Sequence, residues 1–574
     1  MLARERAALA LLALSGAAFL PGALNRFVFP KLALVAAATA LAATVPARGR
    51  LPRAAVALLL GGAGVLVLAA LSGRAPLLQL IGLPPRYEGL VALPLYVGAG
   101  VSGARLLGHG RARGSSRRFL DWLAVAALAI ATEALLETIG LRPLTSNVSR
   151  PGSLLGNASD EGAWAVLALG PLLAAAVRVR GRLFTAGSLG AALTVVCSAS
   201  RGALLGALVT VLLLVLITRS RQTRVAFGVA ATALAIGAIA LPTTRGRLIA
   251  VSGEAAHTVT GRLLLWRETL QLLAHQPLLG VGPSGYLNAI PRYHTVAYER
   301  QIGPQNPPDS PHNWLLQAAV AGGIPLLLMA LALAALTLSR GWRALSQQEA
   351  GGEAAVLGGL LAGLSGYGVA LMFTPTSPGV TPLAALFGGA LLAGLPAHAH
   401  ADRAAAAWAR VRGAARLTAV GAFVALTVVM ACAAAAEVAL RAAIDDAASG
   451  HLPASQRAFN LARELRPWDI GVIATAAHAY VTLSGYGIAA AIPHARQWSQ
   501  IELQRWPGDV QVLSDAATLA NAEGDHRQAL VLVRRALALE PNNPDLAVLL
   551  VRTRASIHHR AARTATPARG SNPV

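Results

Sequence analysis

The sequence predicts an all-α fold: a polytopic membrane helix bundle of about 13 spans with a C-terminal helical-repeat domain. Two observations lead there. Hydrophobic residues make up 55% of the 574 residues and charged residues only 13%, with a mean hydropathy of +0.55, against roughly 25% charged in soluble domains. Apolar runs also recur at a length that crosses the roughly 30 Å hydrocarbon core, about 20 residues each. The formal charge is nevertheless +23, from 49 basic and 26 acidic residues. A disordered polycation is excluded, because it needs low hydrophobicity. The repeated apolar runs equally argue against a soluble nucleic-acid binder. Cys197 and Cys432 both sit in apolar runs, so no disulfide framework reports a redox compartment.

The expected spans lie near 7–24, 28–46, 54–72, 89–107, 119–139, 162–179, 183–199, 202–218, 225–242, 313–339, 353–373, 378–396 and 415–436. The first run follows Arg4 and Arg6 and has the look of a signal peptide. A second run begins almost at once and no clean cleavage site separates them, so the first counts as a span. Arginines alternate between the connecting segments. With the N-terminus inside, 22 basic residues fall on the cytoplasmic side and seven in the short outer segments. The long loop, 243–311, is thereby assigned to the outer face, and the odd span count places the tail there too. The expected location is a bacterial cytoplasmic (inner) membrane, with 1–436 as the membrane domain.

The tail changes composition, holding twelve acids and fourteen arginines after residue 436. Gly524-Asp525-His526-Arg527-Gln528-Ala529-Leu530, followed by Glu540-Pro541-Asn542-Asn543-Pro544, resembles the second half of a tetratricopeptide repeat. Pro507 precedes Pro541 by 34 residues, the length of one such helix pair. Arg466-Pro467-Trp468-Asp469 marks a looser, earlier ending. Residues 437–558 therefore read as a tetratricopeptide-like domain suited to protein contact, with a generic helical hairpin domain as the alternative, and 559–574 as a disordered end.

Polar motifs gather in and beside the long loop. Gly261-Arg262-Leu263-Leu264-Leu265-Trp266-Arg267 is followed by Pro277-Leu278-Leu279-Gly280-Val281-Gly282-Pro283. His312-Asn313-Trp314-Leu315-Leu316-Gln317 opens the tenth span, where the polar pair is either a helix cap or an active-site element. Arg201, in Ser200-Arg201-Gly202-Ala203-Leu204-Leu205, lies between two apolar runs; it either snorkels to the interface or meets a ligand among small neighbours. Glu133 and Glu137 share a helical face and either line a cavity or face other helices. His257, His275 and His294 carry no motif and read as surface or packing residues.

The order of these four motifs resembles the O-antigen ligase and O-antigen polymerase superfamily of bacterial envelope glycosyltransferases, over roughly 80–335. Arg86-Tyr87-Glu88-Gly89 and Gly156-Asn157 are weaker signals of the same family. The resemblance implies a glycosyltransferase C type of fold and transfer of a glycan from an undecaprenyl-diphosphate carrier to an acceptor hydroxyl. It implies an inverting reaction without metal or cofactor. His312 matches the general base, Arg201 and Arg262 the diphosphate-binding groups, with Asn313, Arg267 and Arg86 in support. The expected partners are the lipid-linked glycan, a glycan, glycolipid or protein acceptor, membrane lipid, and a protein met through the repeats. Polymerase and protein oligosaccharyltransferase activities share this donor chemistry. A secondary transporter would instead show internal repeats with polar breaks near the midplane, and no repeated span pattern is visible.

Overall fold

The computed structural model describes residues 2–73, 76–109, 114–144, 150–248, 253–304, 307–349, 351–395 and 405–565. Among them every regular element is helical. In chain order the helices are α1 (Leu2–Leu14), α2 (Phe29–Thr44), α3 (Arg53–Ser72), α4 (Pro76–Ile81), α5 (Ala92–Leu107), α6 (Ser115–Thr138), α7 (Ala158–Arg178) and α8 (Arg182–Cys197). There follow α9 (Arg201–Ile217), α10 (Arg221–Ala240), α11 (Pro242–Leu248), α12 (Gly253–His275), α13 (Tyr286–Ala289), α14 (Val296–Gln301), α15 (Trp314–Ser346), α16 (Gly352–Ala370) and α17 (Thr381–Leu392). α18 (Ala405–Ala448) leads into the tail, which holds α19 (Leu452–Leu465), α20 (Ile470–Gly485), α21 (Ile492–Arg505), α22 (Val510–Ala522), α23 (His526–Leu539) and α24 (Pro544–Ala565).

Each of the thirteen apolar stretches overlaps a helix, but seven helices among the described residues are long and apolar enough to cross a membrane: α3, α6, α7, α10, α15, α16 and the 413–448 part of α18. Five further stretches form apolar helices of twelve to seventeen residues, α2, α5, α8, α9 and α17. The first is α1 and a short 3-10 turn, Ser15–Ala17. The expected disordered end falls mostly outside the described residues, and α24 runs to Ala565.

The chain divides into two compact units: Met1–Val259, Gln276–Ser284 and Ser310–Ala435 form the first, and Thr260–His275, Gly285–Asp309 and Ala436–Val574 the second. In the first unit α7 is the most enclosed of the long apolar helices, packed by α8, α9 and α16. Lipid tails are as apolar as leucine side chains, so close backbone approach between small residues replaces a hydrophobic drive. A Cβ at Gly170 would strike the backbone of Gly359 and Gly363, and one at Gly389 would strike Gly100. The sole lysine, Lys31, is 1% exposed. Its ammonium donates to the carbonyls of Gly16 (2.7 Å), Ala18 (2.5 Å) and Leu154 (2.7 Å), matching three donors to three acceptors. Glu137 accepts from the backbone N–H groups of Gly152 (2.7 Å) and Ser153 (2.9 Å). Glu133 is buried one turn earlier on the same face. Glu137 thus pins a loop beside the N-terminus of α7.

In the second unit, α20 packs on α21 and α22, and α22 on α23. Phe459, Tyr480 and Trp498 form its aromatic centre, with Phe459 within 5.6 Å of the Tyr480 ring. Arg466, fully buried, pairs with Glu437 (2.7 Å) and Asp469 (2.9 Å). The looser repeat ending seen in the sequence is therefore a buried ion triad that joins α18, the end of α19 and the start of α20.

Candidate functional site

The His312 motif begins at a turn that its own side chains stabilise. His312 adopts a left-handed backbone conformation, φ 51°, uncommon for a residue with a Cβ. Its N–H donates to Ser310 Oγ at 3.3 Å. Asn313 is buried and caps α15: its Oδ1 accepts from the N–H groups of Leu315 (3.0 Å) and Leu316 (3.2 Å), and its Nδ2 donates to the Met372 carbonyl. Of the two roles open to Asn313, the geometry provides the cap. The cap sets the direction in which the half-buried His312 leaves the helix start.

Gln317, one turn into α15, connects this motif to a second cluster. Its Nε2 donates to Thr376 Oγ1 at 2.9 Å, and Thr376 Oγ1 donates to Glu88 Oε2 at 2.8 Å. Glu88 also accepts from Tyr96 OH (2.8 Å) and pairs with Arg86 at 3.1 Å. Arg86 donates in addition to the Thr376 carbonyl. The Arg86-Tyr87-Glu88-Gly89 stretch is thus tied through one threonine to the helix that starts at His312. Gly89 has a local reason as well, since a Cβ there would strike the backbone of Ile81. Nothing in the residue spacing announced Thr376 or Tyr96.

The Pro277–Pro283 loop docks on a break in α15. Gly322 and Gly323 leave helical conformation, Gly323 with φ 70°. The break frees the Val320 carbonyl to accept from Val281 N–H (2.7 Å) and lets Ile324 N–H donate to the Pro277 carbonyl (2.8 Å). Gly280, at φ 60°, passes so close that a Cβ would collide with the Val320 carbonyl. Gln79 holds the far side, accepting from Ser284 N–H at 2.8 Å and donating to the Val281 carbonyl. Ser284 Oγ in turn donates to the Glu88 carbonyl at 3.3 Å.

Arg201 occupies the first position of α9, which Ser200 caps through its Oγ. Its Nε donates to the Arg247 carbonyl at 2.8 Å, and Nη2 reaches the same oxygen. Thr244 anchors α11 by donating to the Val196 carbonyl at 2.7 Å. Arg150 donates to the Ser198 carbonyl at 3.4 Å. Two arginine side chains, Arg150 and Arg201, thus meet the chain around the turn between α8 and α9, with the Arg247 backbone carbonyl as the acceptor for Arg201. The sequence singled out only Arg201, because Arg150 and Arg247 stand in no motif. Asn157 caps α7, its Oδ1 accepting from Ser159 N–H.

Arg262 and Arg267 belong to the second unit, both on α12; Arg262 is half-buried and Arg267 exposed. Gly261 beside them is buried, and a Cβ there would strike Ile302. One turn on, Glu268 accepts from His294 Nδ1 (2.9 Å), Thr295 N–H (2.8 Å) and Thr295 Oγ1 (2.8 Å). His294, expected as a surface or packing residue, is 3% exposed and stacks on Tyr298 at 4.1 Å. Burial, then the Glu268 and Glu299 charges, push the Tyr298 hydroxyl well up. Burial and the neighbouring Glu540 push Glu299 up to about 7. His275 is exposed, its Nδ1 2.8 Å from the Gln271 carbonyl; the side chain of His257 lies outside the described residues.

Residues 186–331 match a family model described as O-antigen ligase. No curated protein matches the chain.

Proposed function

We propose a specific reaction from the match of residues 186–331 to the O-antigen ligase family, a family of membrane glycosyltransferases of the ligase or polymerase type. The chain transfers a glycan from an undecaprenyl-diphosphate carrier to an acceptor hydroxyl, as an O-antigen ligase does. One observation carries the reading: Arg201, Arg262, Arg267 and His312 all fall inside the matched segment.

In this reaction the acceptor oxygen attacks the anomeric carbon while the bond from that carbon to the carrier phosphate oxygen breaks. His312 takes the acceptor proton; an imidazole that titrates near neutrality suits the task. The diphosphate leaves carrying the bonding pair and its negative charge. Guanidinium groups aimed at that charge stabilise it, and their planar fork fits phosphate oxygens. Arg201 and Arg262 are assigned this role, with Arg267 in support. The contact from Arg201 to the Arg247 carbonyl supports the proposal, because it fixes the guanidinium before substrate arrives. Arg86 acts at one remove, through Glu88, Thr376 and Gln317. Attack opposite the leaving group inverts the anomeric centre, and no step calls on a metal.

The arginine bias places the reaction at the outer face of the cytoplasmic membrane, with the N-terminus inside and the tail outside. Residues 437–558 serve as a tetratricopeptide-like surface for a protein partner. The test is a transfer assay on purified protein with an undecaprenyl-diphosphate glycan and candidate acceptors. His312→Ala should lower kcat by about 10²–10⁴-fold, while product at the wild-type rate removes His312 as base. Lengthened lipid-linked chains formed without added acceptor would mark a polymerase instead.

A further inference from the structure

A buried group in the second unit takes no part in the transfer. His294, Glu299 and Glu540 each offer a ligand atom, and the three atoms lie within 4.8 Å of one another. All three residues are buried; Glu299 is 6% exposed. Among the described residues neither carboxylate oxygen of Glu299 has a hydrogen-bond partner. A carboxylate buried without a partner is strongly disfavoured, and here the charged groups acting on it include two more carboxylates, Glu540 and Glu268. His294 lies beside these carboxylates, and its Nδ1 is already engaged by Glu268 at 2.9 Å.

We propose that His294, Glu299 and Glu540 bind one divalent transition-metal ion of the zinc class, which clasps segment 285–309 to the turn between α23 and α24. The Glu268 contact places the proton on Nδ1 and leaves the Nε2 lone pair for the ion, the usual carboxylate–histidine–metal arrangement. One imidazole and two carboxylates suit zinc, with Zn–N and Zn–O distances of about 2.0–2.2 Å and a fourth position left for water. Around such an ion the ligand atoms would stand about 3.3 Å apart, so from separations within 4.8 Å the side chains close by at most about 1.5 Å.

The surroundings hold the ligands in place. Asn543 Nδ2 donates to Glu540 Oε2 at 2.6 Å, while its Oδ1 caps α24 through the N–H groups of Asp545 (2.9 Å) and Leu546 (3.1 Å). Asn542 Nδ2 donates to the His294 carbonyl at 2.8 Å. The Pro541-Asn542-Asn543-Pro544 turn, a repeat ending by sequence, therefore already grips the loop beside the ligands. Glu268 stands on α12 with Arg262 and Arg267, so the ion would also stiffen the helix that carries them. The site rests on the geometry of this unit and is independent of the transfer reaction.

Full-length, tag-free protein in detergent is stripped with a chelator, titrated with Zn²⁺ and dialysed, with Mg²⁺ as the comparison ion. The expected result is one retained zinc per chain and none of the magnesium. Hydrogen exchange should slow in peptides covering 290–302 and 538–546. Glu299→Gln should lose the retained zinc, and its metal-free melting temperature, equal to or above wild type, verifies that it folds. Glu540→Gln serves as an independent ligand variant. Glu268→Gln should weaken binding about 10–100-fold while leaving the ligands in place. Less than half an equivalent retained by wild type, or a full equivalent retained by Glu299→Gln, overturns the site.

Discussion

Glu88 concentrates more interactions than its place in the sequence suggests. It accepts from Arg86, Tyr96 and Thr376, and its side chain is largely buried. Removing the carboxylate takes away the ion pair with Arg86 and the acceptor used by Tyr96 and Thr376, all in a low-dielectric setting. Loss of one partner from a buried pair costs about 3–5 kcal/mol. Glu88→Ala should therefore lower the melting temperature in detergent sharply, and Glu88→Gln less, since the amide oxygen still accepts from one neighbour. A melting temperature for Glu88→Ala equal to wild type would show that the network contributes nothing to stability. The sequence marked Arg86-Tyr87-Glu88-Gly89 as a weaker family signal, and the stretch lies outside the matched 186–331. Its partners were not legible, because Thr376 lies 288 residues away in sequence and carries no pattern of its own.

At the scale of elements, the break in α15 determines how the Pro277–Pro283 loop sits. Gly323 needs φ 70°, where a Cβ would also strike the Leu278 backbone. A residue with a Cβ in the left-handed region pays about 1–2 kcal/mol before any collision. Gly323→Ala should displace the loop, seen as faster proteolysis within 277–284 and a loss of stability above that figure; unchanged cleavage would sink the docking account. In the tail, Arg466 holds Glu437 and Asp469 together across three helices. Arg466→Ala leaves two buried carboxylates facing each other and should destabilise the tail by about 3–5 kcal/mol. Chemical denaturation followed at tail-specific hydrogen-exchange peptides measures it. The glycines of both motifs were visible in the sequence as turn signals. That one turn docks onto a helix break was not, because hydrogen bonds between distant backbone groups leave no trace in residue type.

For the whole molecule, acidity offers a lever on the tail. Glu502 is raised to about 8, first by burial and then by Asp515 and Asp509; His478 opposes it. Asp509 is raised to about 6, mainly by burial. Both carboxyls keep a proton in the folded state that the unfolded chain has already released, so stability falls as pH rises through this interval. His478, raised chiefly by its hydrogen bond to Asp515, acts in the same direction: its contribution is full below its ordinary value and lost as pH climbs through the folded one. The tail should be more stable at about pH 5 than at about pH 8. Hydrogen exchange of peptides covering 498–525, corrected for intrinsic rates, reads the slope. Glu502→Gln should flatten it; an unchanged slope in that variant would assign the pH response elsewhere. The metal clasp is a separate effect, checked with chelator present throughout.

The apolar runs and the arginine pattern by themselves determined an all-helical membrane class, since helices are the economical way to satisfy backbone groups in lipid. The four ordered motifs pointed to an O-antigen ligase resemblance over roughly 80–335, and 186–331 of that stretch match the family model, because turn glycines, a helix-capping asparagine and a terminal arginine leave fixed residue types behind. Span length was harder to read: a run such as 202–218 looks continuous with its neighbour, yet Ser200 caps a new helix there. Only the tertiary structure decided what His294 is. Its burial, its bond to Glu268 and its nearness to Glu299 and Glu540 join three segments separated by up to 272 residues. No local pattern encodes such a meeting, because the energy that creates it comes from burying the segments together.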